Sequence, residues 1–218
     1  MSEDEQVVLP NPGETFYLTK EIDNLTGTAG DDVFRVVEAE QMTQFDTVDG
    51  GAGNDTLEVY TGDDLKGTFT NIENLVVAGA DVSTSGYDLS FFSKSFTLKV
   101  EKDATVSHVT NQTLVMDDAG NKTLTATMDD DQTSVKLVNE GSTGATFKAE
   151  GTKLDSMDLT TNTSTTLQDG ADSTVKNVAI TALADATIAL TDLNKLENVT
   201  VAGAGSVTLT GATKADIN

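Results

Sequence analysis

Gly50-Gly51-Ala52-Gly53-Asn54-Asp55-Thr56-Leu57-Glu58 is the stretch that decides how this chain is read. It fits the nine-residue pattern G-G-x-G-x-D-x-U-x, in which U is a large apolar residue. The first half is turn chemistry, because glycines reach φ > 0 and let main chains approach closely. The second half begins a strand, with Leu57 alternating against Thr56 and Glu58. The pattern also suits a hard cation. Calcium takes six to eight oxygens at about 2.3–2.6 Å, from carboxylates and carbonyls. Asp55 supplies a charged oxygen, the glycine turn supplies carbonyls, and Leu57 is predicted to pack inside.

Gly27-Thr28-Ala29-Gly30-Asp31-Asp32-Val33-Phe34-Arg35 is a second copy, with Thr28 in place of one glycine. A single turn of this kind cannot fill a calcium shell, so its partners must come from a neighbouring coil. The candidate calcium ligands and turn-shaping residues are therefore Gly27, Asp31, Asp32, Asp46, Asp49, Gly50, Gly51, Gly53 and Asp55. The two copies start 50 − 27 = 23 residues apart. A short helical segment over residues 36–45 is predicted to absorb the surplus over a shorter repeat.

That shorter repeat is visible nearby: Leu57 and Val59 recur as Leu75 and Val77, 75 − 57 = 18 residues on. Residues 72–80, Ile-Glu-Asn-Leu-Val-Val-Ala-Gly-Ala, are echoed at 196–204 as Leu-Glu-Asn-Val-Thr-Val-Ala-Gly-Ala. Further strand-like runs lie near 97–100, 113–116, 123–128, 134–138, 145–149, 156–160, 174–180, 186–191, 198–202 and 206–210. A strand-and-turn period near twenty residues is the mark of a solenoid. The predicted fold is thus all-β, a parallel β-solenoid of the β-roll or right-handed β-helix kind, with Gly/Asp-rich calcium-binding turns. An antiparallel β-sandwich, whose strands also recur at short intervals, is the alternative. Composition favours a thin core. Hydrophobic residues make up 37%, Trp is absent and Thr is the most abundant residue.

Acidic residues outnumber basic ones 36 to 13, giving a net charge of −23, and Arg35 is the single arginine. Binding to nucleic acid needs clustered Lys and Arg to release counterions, so that class is excluded. Anionic lipid and polyanionic sugar are disfavoured on the same ground. A charge this large repels itself unless cations neutralise it. No run approaches the 18 apolar residues of a membrane-inserted helix. The chain has no cysteine, which suits a protein living outside the cell without disulfides. Its acidic start lacks the basic-then-apolar order of an N-terminal export signal, and its end stops in mid-pattern. Export by a C-terminal signal and a piece of a longer protein are the expectations. Three sections are expected: a flexible lead over 1–14, a calcium-binding β-roll over 15–80, and a Thr-rich β-helical section over 81–218, continuous with it.

Taken together, Phe16-Tyr17-Leu18-Thr19, the two Gly/Asp turns with their flanks, and Asn71-Ile72-Glu73 resemble the opening of RTX-type S-layer proteins of Gram-negative bacteria. The motif-bearing match covers roughly residues 16–80. The resemblance implies type I secretion, an extracellular cell-surface location and a calcium-dependent coat. By position it implies that Asp32 and Asp55 are the turn aspartates and that Gly27, Gly30, Gly50, Gly51 and Gly53 shape the turns. The chain departs from long arrays of the repeat in having two copies.

The functional expectation is a structural, non-enzymatic S-layer segment. It would associate with itself or with adjacent domains of the same protein, with cell-surface polysaccharide as a further partner. A type I-secreted adhesin or biofilm-matrix module is the alternative. A polysaccharide lyase would need Arg or Lys to neutralise a uronate and abstract its proton, which this chain can scarcely supply. His108, the one histidine, is expected to be structural. Asp117, Asp118 and Asp129-Asp130-Asp131 read as solvated corners between strands.

Overall fold

The computed structural model describes residues 11–78, 86–92, 96–117, 120–170, 174–211 and 216–217. The chain is a parallel β-solenoid. Strands alternate between two faces: β1 (Thr15–Tyr17), β3 (Val33–Val36), β5 (Thr56–Val59) and β7 (Asn74–Val77) lie on one, β2 (Asn24–Thr26), β4 (Thr47–Asp49) and β6 (Thr68–Thr70) on the other. The first face continues to the last described strand as one eleven-stranded parallel sheet. The opposite face comprises that three-stranded sheet and then a seven-stranded one. Between those two, the isolated bridge from Phe69 to Phe92 is the pairing seen among the described residues.

Register fixes the coil lengths. Thr15, Val33, Thr56, Asn74 and Thr97 occupy equivalent places, so successive coils advance by 18, 23, 18 and 23 residues. The pairings of Leu57 with Leu75 and Val59 with Val77 match the sequence repeat. The large sheet crosses position 80 by pairing β7 with Thr97–Val100, so the two expected sections share it. Residues 1–10 of the expected lead lie outside the described residues. Glu14, at its end, accepts the Val33 N–H and so belongs to the first coil.

The short helix expected over 36–45 does not form. Val36 ends β3, and Glu40 has φ 68°, which no helix tolerates. The Gln41 side-chain oxygen takes the N–H groups of Val37 and Glu38, both at 2.8 Å. The five extra residues of the longer coil are an irregular loop in the 37–46 turn.

Alternation places every second residue of each strand inside. Phe16, Phe34, Leu57, Leu75, Leu98, Leu114, Leu137, Leu159 and Ile180 stand in one register column along the solenoid interior. The Phe16 and Phe34 rings stack at 5.0 Å. Val48 and Phe69 meet this column from the other face, both nearly fully buried. A core this thin needs no tryptophan, and Leu, Val, Ile, Phe, Met and Ala fill it. Outside, Arg35 is tied to Glu58 at 2.7 Å.

Candidate metal centre

A two-faced solenoid has two edges where the chain crosses between sheets. The turns 27–32, 50–55 and 71–73 stack along one edge, leading back into the large sheet. The turns 18–23, 37–46 and 60–67 stack along the other. The two Gly/Asp motifs therefore lie on consecutive coils, one directly over the other.

On the first edge the acidic residues form a ladder. The Glu14 N–H donates to Asp32 Oδ1 at 2.6 Å, the Asp32 N–H to Asp55 Oδ1 at 2.8 Å, and the Asp55 N–H to Glu73 Oε2 at 2.9 Å. Each acidic side chain thus accepts the main-chain donor of the preceding coil's acid. The opposite edge repeats the device, with the Asp23 N–H donating to Asp46 Oδ1 at 3.0 Å. Asp32 and Asp55 are fully buried and Asp46 nearly so.

The turns differ in how the rest of each carboxylate is satisfied. Thr28 donates its N–H to Asp32 Oδ2 at 2.5 Å and its hydroxyl to Asp32 Oδ1 at 3.0 Å. The hydroxyl also accepts the Gly30 N–H at 3.0 Å. Thr19 closes on Asp23 and Thr43 on Asp46 in the same way. In turn 50–55 the residue at the place of Thr28 is Gly51. It has no hydroxyl, and its φ of 89° turns its N–H toward Asp49 Oδ1 at 3.1 Å. Asp55 Oδ2 is consequently buried with no hydrogen-bond partner.

Electrostatics follow the same division. Burial works to raise the Asp32 pKa, but the hydrogen bonds from Glu14 and Thr28 outweigh it and hold the group below its ordinary value. Burial raises the Asp55 pKa, opposed by the Asp32 N–H and reinforced by the charges of Asp32, Glu73 and Asp31. One aspartate is at home as an anion and the other is not.

The glycines leave room where the backbones meet. A Cβ on Gly50 would strike the Asn71 carbonyl and stand 2.6 Å from Asp55 Oδ2. One on Gly27 would strike the Gly50 carbonyl, and one on Gly53, at φ 139°, the Gly30 carbonyl. Asp55 therefore fits a calcium ion: its orphaned, buried carboxylate oxygen lies beside Gly50, where the Asn71 carbonyl also approaches. Among the described residues no three acidic or histidine side chains converge as a metal cage. Carbonyls of the stacked turns, such as that of Asn71 beside Gly50, would supply the remaining oxygens.

The other candidates fall differently. Asp49 lies on the same edge as Asp55, where its Oδ1 also accepts Asn71 Nδ2 at 2.6 Å. Asp31 sits exposed on the rim and takes the Asn54 N–H at 2.8 Å. Asp46 does not join the Asp55 turn. It stands at the opposite edge, across the width of β4, because the strand between the two motifs carries the chain from one edge to the other. Sequence reasoning missed Glu14, Asp23 and Glu73. Their signal was the coil period itself, since Glu14, Asp32, Asp55 and Glu73 are spaced 18, 23 and 18 apart.

Away from this edge, His108 Nδ1 is 2.9 Å from Asp88 Oδ1 on a half-exposed ring. Asp131 pairs with Lys153 at 3.0 Å, and Asp117 with Lys99 at 2.6 Å. Asp118 lies outside the described residues. Comparisons with family models, curated proteins and solved structures found no match.

Proposed function

We propose that this chain is a calcium-dependent structural segment of a secreted bacterial surface layer, without catalytic activity. The observation that carries the reading is Asp55 Oδ2, a buried carboxylate oxygen with no donor, set among glycine turns. The net charge of −23 supports it, because a coat of such chains must bind cations to pack side by side. A bound calcium ion would supply positive charge to that oxygen, with Asp55 and main-chain carbonyls such as that of Asn71 holding it. The partners are further copies or adjacent domains of the same protein, with cell-surface polysaccharide as a secondary contact.

The test has two parts. Calcium modules outside cells bind at about 10⁻⁴–10⁻³ M, and a hundredfold excess over such a constant adds about 2.7 kcal/mol per site. The melting temperature is expected to rise by several degrees from chelator to ten-millimolar calcium, and far less in magnesium. Amide exchange should slow around residues 49–56 and stay unchanged beyond residue 97. An unchanged melt removes the metal from this reading. The second part is light scattering and electron microscopy of the whole secreted protein over a calcium series, with matched sodium chloride controls. Sheets or large oligomers support the surface-layer role, and a protein that stays monomeric throughout turns the reading to an adhesin.

A further inference from the structure

The two nonapeptide turns look interchangeable as sequence, and position alone makes Asp32 and Asp55 equal ligands. Their surroundings do not agree with that. Every hydrogen-bonding direction at Asp32 that the neighbouring residues reach is filled by a donor: the Glu14 N–H, the Thr28 N–H and the Thr28 hydroxyl. A carboxylate ringed by hydrogens presents positive poles outward, and a cation would have to displace them. Asp23 and Asp46 are enclosed in the same manner by Thr19 and Thr43, each also receiving or giving a contact across coils. Three turns thus share a threonine three or four residues ahead of an aspartate. The fourth, at Asp55, has Gly51 there instead.

We infer that Asp23, Asp32 and Asp46 are hydroxyl-closed clamps that hold consecutive coils together without a cation, and that of these four aspartates Asp55 alone is a calcium ligand. The calcium half of this rests on the reading proposed above, and the clamp half does not. The residue at the Thr28/Gly51 place decides which kind of turn forms. A threonine hydroxyl bonds the carboxylate and the N–H two residues on, so the turn closes on itself. A glycine removes the hydroxyl, and its positive φ takes the N–H out of reach as well. Gly51 cannot simply be replaced to close the turn, because a Cβ there would stand 2.6 Å from the Thr28 carbonyl at a strained φ.

The experiment compares wild type with Thr28→Val, Asp32→Asn and Asp55→Asn, melted in chelator and in ten-millimolar calcium, with calcium stoichiometry by titration. In chelator, Thr28→Val and Asp32→Asn should each melt roughly 2–6 °C lower, the shift expected for losing one or two buried hydrogen bonds in a chain this size. Asp55→Asn should melt no lower than wild type, since the amide removes an uncompensated charge. In calcium, the rise seen for wild type should persist in Thr28→Val and Asp32→Asn, with stoichiometry unchanged, and vanish in Asp55→Asn. The inference is overturned if Asp32→Asn loses the calcium response as Asp55→Asn does, or if Thr28→Val melts like wild type in chelator. A wild type that ignores calcium would sink the metal reading, while the chelator melts of Thr28→Val and Asp32→Asn would still decide the clamps. Thr28→Val, nearly isosteric, keeps the question open to test should Asp32→Asn fail to fold.

Discussion

One register column of the large sheet, just ahead of the first six strands and inside the next four, holds Glu14, Asp32, Asp55, Glu73, Phe96, Gln112, Val135, Met157, Val178 and Val199. In the first four coils this column is acidic, and from Phe96 onward it is almost wholly apolar. The column at the other end of the same strands is apolar at first and turns polar at two later coils. Leu18, Val36, Val59, Val77, Val100 and Met116 give way to Asn139, Thr161, Ala182 and Gly203. Asn139 and Thr161 are buried and both reach Thr165, at 2.9 and 3.1 Å. The acidic column therefore ends at Glu73, and buried neutral polar groups enter the opposite column at Asn139 and Thr161.

The two columns show two ways of sealing a coil. Carboxylates on main-chain N–H groups bind coils strongly but must be taken out of water, and an incompletely satisfied one invites a cation. Neutral Asn and Thr, or plain hydrocarbon, seal the edge at lower electrostatic cost and have no use for an ion. If calcium binds as proposed above, its effect should be confined to the first four coils, and the Thr-rich coils should be indifferent to it.

The sharpest way to break this comparison is to move a carboxylate across the boundary. Met157→Asp puts an acid into the acidic ladder's own column, at a fully buried position between Val135 and Val178. It should destabilise by about 3–5 kcal/mol, as an unpaired buried charge does, measured by denaturant unfolding. Near-neutral behaviour would mean that the two halves close alike.

A smaller effect is expected at the polar edge of the later coils. Asn139→Ala leaves the Gly141 N–H without its acceptor and removes one donor from the Thr165 hydroxyl. The loss should be about 1–3 kcal/mol, and equal in chelator and in calcium. A calcium-dependent loss would show that the later coils share the metal linkage.

The smallest effect sharpens the contrast within the ladder. Asp32, with its pKa lowered, stabilises the fold above the ordinary carboxylate range, and that contribution fades as pH falls toward its folded pKa. Asp55, with its pKa raised, has the opposite sign. The folded chain holds that proton more tightly, so in chelator its contribution declines as pH rises from the ordinary value toward the folded one. Melts from pH 3 to 7 in chelator should show Asp55→Asn gaining on wild type as pH rises and Asp32→Asn losing ground. Parallel curves would remove the distinction between them.

Strand positions were legible because alternation is a local property. Thr97–Val100, Thr113–Met116 and Ala186–Thr191 fall where the pattern put them. Ala104–Val109 and Thr165–Asp169 were overlooked, the first being bent by a register shift and a positive φ at His108. The echo of residues 72–78 at 196–202 falls on two strands of one sheet, Asn74–Val77 and Asn198–Gly203, but the register carries Asn74 to Thr200, two residues beyond its echo. The helix over 36–45 was misread, because the tertiary demand for a wide turn outweighed the helix-forming residues in it.

What the sequence by itself determined is the period, the alternation and the glycine turns, hence a parallel solenoid with two Gly/Asp turns on successive coils. These follow from steric rules that act within a few residues. Only the tertiary structure decided which aspartates share an edge, that Asp46 faces away from Asp55, and that Thr28 satisfies one carboxylate while Gly51 leaves the other open. Those outcomes depend on register across 18 and 23 residues and on which donors arrive from the neighbouring coil. A carboxylate's affinity for a cation is set by the hydrogen-bond donors already around it, and those come from residues that are distant in sequence.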